Sequence, residues 1–149
     1  CPVAVTDGTL YFISARPGGS KGSEPTEIYN VWRARALDRS GLRFAEPENL
    51  GPAINTGLET NVYVTPDGRT MLLSRDGAPD SLGGDDLYMT TFSGGRWDPV
   101  RHLPAPINTE KYEYGPSLSP DGRWLFFTSA RAGTADIYRA PATILQRQK

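Results

Sequence analysis

Histidine and cysteine are almost missing from this chain: His102 and Cys1 are the single examples among 149 residues. A transition-metal site needs clustered imidazoles and thiolates, and this distant pair cannot supply one. With one cysteine there is no internal disulfide, and the redox compartment stays open. No apolar run approaches the ~18–20 residues of a transmembrane helix, and no signal-peptide core is present. Basic stripes are lacking too: 16 Lys and Arg are scattered among 17 Asp and Glu, for a net charge of −1. Nucleic acid is therefore not an expected partner. There is no Gly-x-Ser-x-Gly nucleophile elbow and no glycine-rich phosphate loop opening a helix. The 3.6-residue periodicity of helices is absent from the apolar segments.

What is present is aromatic residues and punctuation. Three Trp, seven Tyr and five Phe gather in short segments separated by 16 Gly and 13 Pro, a pattern of many short strands and tight turns. The segments repeat. Asp67-Gly68 and Asp121-Gly122 lie 54 apart, Ile54-Asn55-Thr56 and Ile107-Asn108-Thr109 lie 53 apart, and Asp86-Leu87-Tyr88 and Asp136-Ile137-Tyr138 lie 50 apart. Three markers in constant order mark a repeat architecture. A weaker first copy runs from Asp7-Gly8 through Leu10–Arg16 to Asn30–Ala34, with one residue missing after the glycine.

Each copy predicts four strands, which we letter A to D. Strand A is Val3–Val5, Asn61–Thr65 or Pro116–Ser119; strand B is Leu10–Ser14, Thr70–Ser74 or Trp124–Ser129. Strand C is Val31–Arg35, Asp86–Thr91 or Asp136–Ala140, and strand D lies near Arg43–Asn49 and Arg96–Leu103. Residues 141–149 offer no strand D. In the A–B turns Thr65-Pro66-Asp67-Gly68 and Ser119-Pro120-Asp121-Gly122, proline presets φ, aspartate bonds its own backbone and glycine takes positive φ. These aspartates are expected to serve the fold.

Ser119-Pro120-Asp121-Gly122, Thr128-Ser129-Ala130-Arg131 and Asp136-Ile137-Tyr138 together resemble the TolB-type, WD40-like β-propeller repeat. Repeat one departs from the pattern, with Thr6 for proline and Asn30 for aspartate. The resemblance implies an all-β fold: a β-propeller of four-stranded antiparallel blades, with blades at 1–55, 56–108 and 109–149. Closed propellers have ~4–8 blades, so three blades are expected to be part of a six-bladed ring. Two bare blade faces of roughly 300 Å² each would forfeit on the order of 15 kcal/mol. The expectation is a C-terminal half of a longer propeller, or else two copies closing a ring; Pro2–Val5 reads as strand, unlike the flexible tether that follows a lipidated cysteine.

Arg16, Arg75 and Arg131 end strand B. They are either a basic rim that grips an acidic ligand or ion pairs between blades with Glu59 and Glu113. Tyr112 and Tyr114 flank Glu113 in the third repeat alone and suit peptide or sugar binding. Asp85 and Asp86, after Gly83-Gly84, are a weak calcium candidate, set against a role for Asp86 in capping the B–C loop. The polar B–C loop at 17–29 is a further candidate surface. His102 reads as an exposed strand residue. No cofactor and no catalytic set is expected. The expected function is a non-catalytic protein- or peptide-binding scaffold, which the resemblance places in the bacterial cell envelope, periplasmic or exported. The alternatives are an accessory propeller of a prolyl oligopeptidase-like peptidase and a glycan-binding propeller using Trp32, Trp97 or Trp124.

Overall fold

The computed structural model describes residues 2–17, 29–38 and 40–146. Among the described residues, twelve strands form three antiparallel sheets. The first contains β1 (Val3–Ala4), β2 (Leu10–Ser14), β3 (Asn30–Ala34) and β4 (Glu48–Asn49), in that order. The second contains β5 (Leu58–Val64), β6 (Thr70–Asp76), β7 (Asp86–Ser93), β8 (Arg96–Trp97) and β9 (Arg101–His102), the last two pairing with β7. The third has β10 (Glu113–Leu118), β11 (Trp124–Ser129) and β12 (Asp136–Pro141). A 3-10 turn, Ala142–Gln146, follows where the sequence suggested no element.

The A–B turns form as their residues dictate. In both proline-containing turns the aspartate Oδ1 accepts a hydroxyl at 2.6 Å and a backbone N–H at 3.1 Å. Gly68 and Gly122 supply φ of 70° and 69°, positions a side chain would strain. Hydrogen bonds, first from Thr65 and from Ser119, hold the two carboxyls below their usual range. Strand D of the first repeat is shorter than the predicted 43–49. Ala36 bridges to Phe44 outside the named strands, and regular pairing with β3 is confined to Glu48 and Asn49.

Sheet alternation explains how the three layers stack. Met71 and Leu73 of β6 point toward the first sheet and share a core with Tyr11, Val31, Val62 and Tyr88. Leu72 points the other way, into a second core with Leu87, Met89, Leu103, Leu125 and Phe127. Side chains of period two therefore bury both faces of the middle sheet, and Met71–Arg75 are buried without interruption. Outer strands behave differently: β12 alternates between half-buried and exposed, and Ile137 is 80% exposed.

Asparagines of the two Ile-Asn-Thr segments clamp one sheet to the next. Asn55 accepts the Val31 N–H at 2.8 Å and donates to its carbonyl at 3.0 Å. Asn108 does the same at Leu87, at 2.8 and 2.9 Å, and donates also to the Leu103 carbonyl at 2.7 Å. Both side chains are buried, so each clamp satisfies backbone groups that water cannot reach.

Candidate functional site

The strand-B arginines are not equivalent in register. Arg75 lies within β6, opposite Glu59 and Asp86, whereas that position in the third sheet belongs to Ser129, opposite Glu113 and Asp136. Arg131 stands two residues further on. Both nevertheless reach the same partners. Arg75 donates to Glu59 at 3.1 Å and to the Ile54 carbonyl at 2.6 Å. Arg131 lies 3.6 Å from Glu113 and donates to the Ile107 carbonyl at 2.6 Å. Each guanidinium also rests on a strand-C tyrosine, Tyr88 at 4.6 Å and Tyr138 at 4.8 Å. The ion pairs join strands A and B of one sheet rather than neighbouring blades, and the contacts between blades go to the linker carbonyls.

Glu59 and Glu113 have no exposed surface and Arg75 is 4% exposed, so these three face protein on all sides. Glu59 Oε1 accepts N–H groups of Thr56 and Gly57 as well as Arg75, while buried Oε2 has no partner. Burial, opposed by Arg75, raises its pKa above the ordinary carboxylate value; the unpartnered Oε2 is the atom suited to carry the proton. Arg16 is the exposed member of the set. Its Nε donates to Ser14 Oγ at 3.1 Å and its guanidinium lies over Phe12 and Trp32 at 5.0 and 5.3 Å. Among the described residues it meets neither a carboxylate nor a linker carbonyl.

Tyr112 is packed onto Gly84, so closely that an added Cβ would come within 2.1 Å of the ring, while its other face is open and the residue 56% exposed. Tyr114 is half-buried on the outward side of β10, opposite Thr128. The structure therefore separates these two tyrosines. Asp85 accepts Thr60 Oγ1 at 3.1 Å, and burial raises its pKa. Asp86 caps the B–C loop by accepting the Leu82 N–H at 2.7 Å and also bonds His102 at 2.6 Å. No group of three or more His, Cys, Asp or Glu able to hold a metal occurs among the described residues. Of the B–C loop candidate at 17–29, residues 18–28 lie outside the described residues.

His102 corrects its sequence reading. It is 18% exposed, held between Asp86 and the Asn108 amide at 2.9 Å, and its ring packs edge-on against Tyr88 at 5.1 Å. The Asp86–His102–Asn108 group was hidden from the sequence because its members lie on different segments. The one usable signal was the recurrence of Asn in both Ile-Asn-Thr segments.

The remaining surfaces are the outward sheet faces. On the third sheet Tyr114, Trp124, Phe126 and Ile137 lie on the side away from the second core, with Arg139 stacked on Trp124 at 4.4 Å. On the first sheet Leu10, Phe12 and Trp32 occupy the side away from the first core. Trp32 and Trp97 are buried, and Trp124 is occupied by Arg139.

No family model matches the chain. Among solved structures, TolB from Acinetobacter baumannii superposes on 94% of this chain with a TM-score of 0.60 at 19% sequence identity. The chain spans 29% of the length of that structure. The three sheets have the fold of part of a TolB-like β-propeller, as the repeats implied.

Proposed function

We infer that this chain, with blades at 1–55, 56–108 and 109–149, is a protein-binding propeller segment whose partner docks on the outward face of the third sheet. The observation that carries this reading is at Ile137. In register Ile137 corresponds to Val31 and Leu87, each of which has its N–H and C=O clamped by an asparagine. No described residue clamps Ile137. It stands exposed within an apolar face bearing Tyr114, Trp124 and Phe126. Large apolar side chains grouped around unpaired strand groups favour a partner that brings its own sheet and an amide side chain. A second copy of this chain offers the apolar outward face of its first sheet, with Leu10 and Phe12, while its own Asn55 and Asn108 are already engaged at Val31 and Leu87. A non-catalytic role in the cell envelope, exported or periplasmic, accords with the resemblance to TolB-type repeats.

Sedimentation velocity of the 149-residue chain over a concentration series tests this. Concentration-dependent association that Ile137→Lys abolishes, with an unchanged far-ultraviolet spectrum, is expected. A folded chain that stays monomeric at every concentration removes the reading.

A further inference from the structure

The two seams between sheets are filled differently at their A–B turn end. In the seam between the second and third sheets, the chain leaving β12 coils into the 3-10 turn, and Ile144 and Leu145 pack on the core beside Met89. Counted on from Thr90 and Ala140, which hold equivalent places, Ile144 and Leu145 fall at the numbers of Gly94 and Gly95, beyond the paired residues; in the first seam Phe92 and Trp97 pack on the core instead. Those glycines turn the chain from β7 into β8 at φ of 55° and 83° and carry no side chain. Arg33 replaces Met89 in the same comparison. A cavity of about 660 Å³ remains in the seam between the first and second sheets, within the size range of ligand sites.

The lining has a consistent chemistry. Val5, Tyr11 and Phe92 give an apolar floor, while Arg33, Arg35 and Arg69 face the space with Asp7 and Asp67. Arg33 is bound to both oxygens of Glu48, each at 2.9 Å. Arg35 and Arg69 form no ion pair among the described residues. The aspartates are turned to their own loops: Asp7 Oδ1 accepts the Thr9 N–H at 2.8 Å and Asp67 Oδ1 accepts Thr65 Oγ1. Burial raises the Tyr11 pKa, so the phenol stays protonated and remains a hydrogen-bond donor. One departure of repeat one lies at this place. Thr6, standing where proline is expected, donates twice to the Pro66 carbonyl, at 2.6 and 2.8 Å, and fixes one wall.

From this we propose that the seam cavity binds a peptide that presents a carboxylate beside an apolar side chain, the carboxylate between Arg35 and Arg69 and the apolar group over Tyr11 and Phe92. The proposal rests on the chain being a peptide-binding propeller, but not on docking at Ile137. The carboxylate could belong to a chain terminus or to an acidic side chain, and the two sources are separable.

Amide-resolved NMR titrations with three probes provide the test: N-acetyl-alanyl-leucine as free acid, the same dipeptide as its C-terminal amide, and N-acetyl-glutamyl-leucine amide. The free acid or the glutamyl probe is expected to shift amides of residues 6–8, 33–35 and 67–69, and the neutral amide to bind about tenfold more weakly. Binding of the free acid alone assigns a chain terminus, and binding of the glutamyl probe an internal acidic residue. Arg35→Ala with Arg69→Ala, both exposed positions, should weaken binding about tenfold at unchanged melting temperature. Arg139→Ala, on the far face of the third sheet, should leave it unchanged. Equal binding of acid and amide, shifts located elsewhere, no shifts at all, or an unaffected double variant would overturn the proposal. Ile137→Lys should alter none of these results, so failure here is distinct from failure of the docking reading.

Discussion

Arg75 and Arg131 enter their sheets two residues out of register, yet each places a guanidinium 2.6 Å from the carbonyl of the isoleucine that begins the preceding linker, Ile54 or Ile107. The constraint is the location of the charge rather than the position of the residue bearing it. Arg75 is 4% exposed and Arg131 25%, which separates the consequences of losing them.

Arg75→Ala should destabilise by about 3 kcal/mol, because it strands the buried Glu59 carboxyl and removes the contact with Tyr88. Arg131→Ala should cost about 1 kcal/mol, since water can replace part of what it supplies. Chemical denaturation of both variants checks the order. Equal losses would mean that exposure does not set the cost.

Glu59 makes stability depend on pH. Its pKa is raised in the fold relative to its ordinary 4.5, so the folded state holds the proton more tightly than the unfolded chain. Its contribution is complete below about 4.5 and is lost as pH rises through the elevated folded value. Glu59→Gln keeps an acceptor for Thr56, Gly57 and Arg75 and has no proton to lose. Its denaturation free energy should fall less than that of the parent across this window, and parallel pH profiles would contradict the assignment.

The Gly83–Gly84 pair is explained by contact. A Cβ on Gly83 would lie 2.0 Å from the backbone oxygen of Lys111, so Gly83→Ala must shift main chain and should cost about 1–3 kcal/mol. On Gly84 the obstruction is the Tyr112 ring, which can swing outward. Gly84→Ala should therefore cost less, and Tyr112→Ala should suppress most of its effect. A double-mutant cycle without coupling would contradict this packing.

Asn108→Ala should release the Leu87 N–H and the Leu103 carbonyl, costing about 2–3 kcal/mol through unsatisfied buried groups, while the Leu87 carbonyl keeps the Leu103 N–H at 2.9 Å. Hydrogen exchange should quicken first at Leu87. Slow exchange there in the variant would show that the clamp is dispensable.

Where local chemistry decides, the sequence could be read closely. Strands Leu10–Ser14 and Trp124–Ser129 have their expected limits, because alternation and turn residues fix them on both sides. The Asp67 and Asp121 turns likewise follow from four adjacent residues. The site was harder to read for a physical reason. Register slips between Glu59 and Asn61, and again between Tyr114 and Ser117, so counting along the chain misaligns what stands across from it. On strand B the turn glycines Gly68 and Gly122 stand 54 apart but Arg75 and Arg131 stand 56 apart, so the strand-end arginines are not one position. Asp86, His102 and Asn108 meet only after three segments fold together, and no local pattern announces that. The seam cavity is lined from segments far apart in the chain, around residues 5–11, 33–35, 66–69 and 92, and no local pattern announces that either.

The middle sheet, covered on both sides, shapes how the molecule comes apart. A flanking sheet can detach by giving up one contact surface; the central one can leave only after both neighbours have let go. Opening should therefore proceed inward from the flanks, with amides of β6 the last to exchange. Anything that settles on an outward face would turn a flank into an interior layer, transmitting a binding event to the opposite seam as increased rigidity.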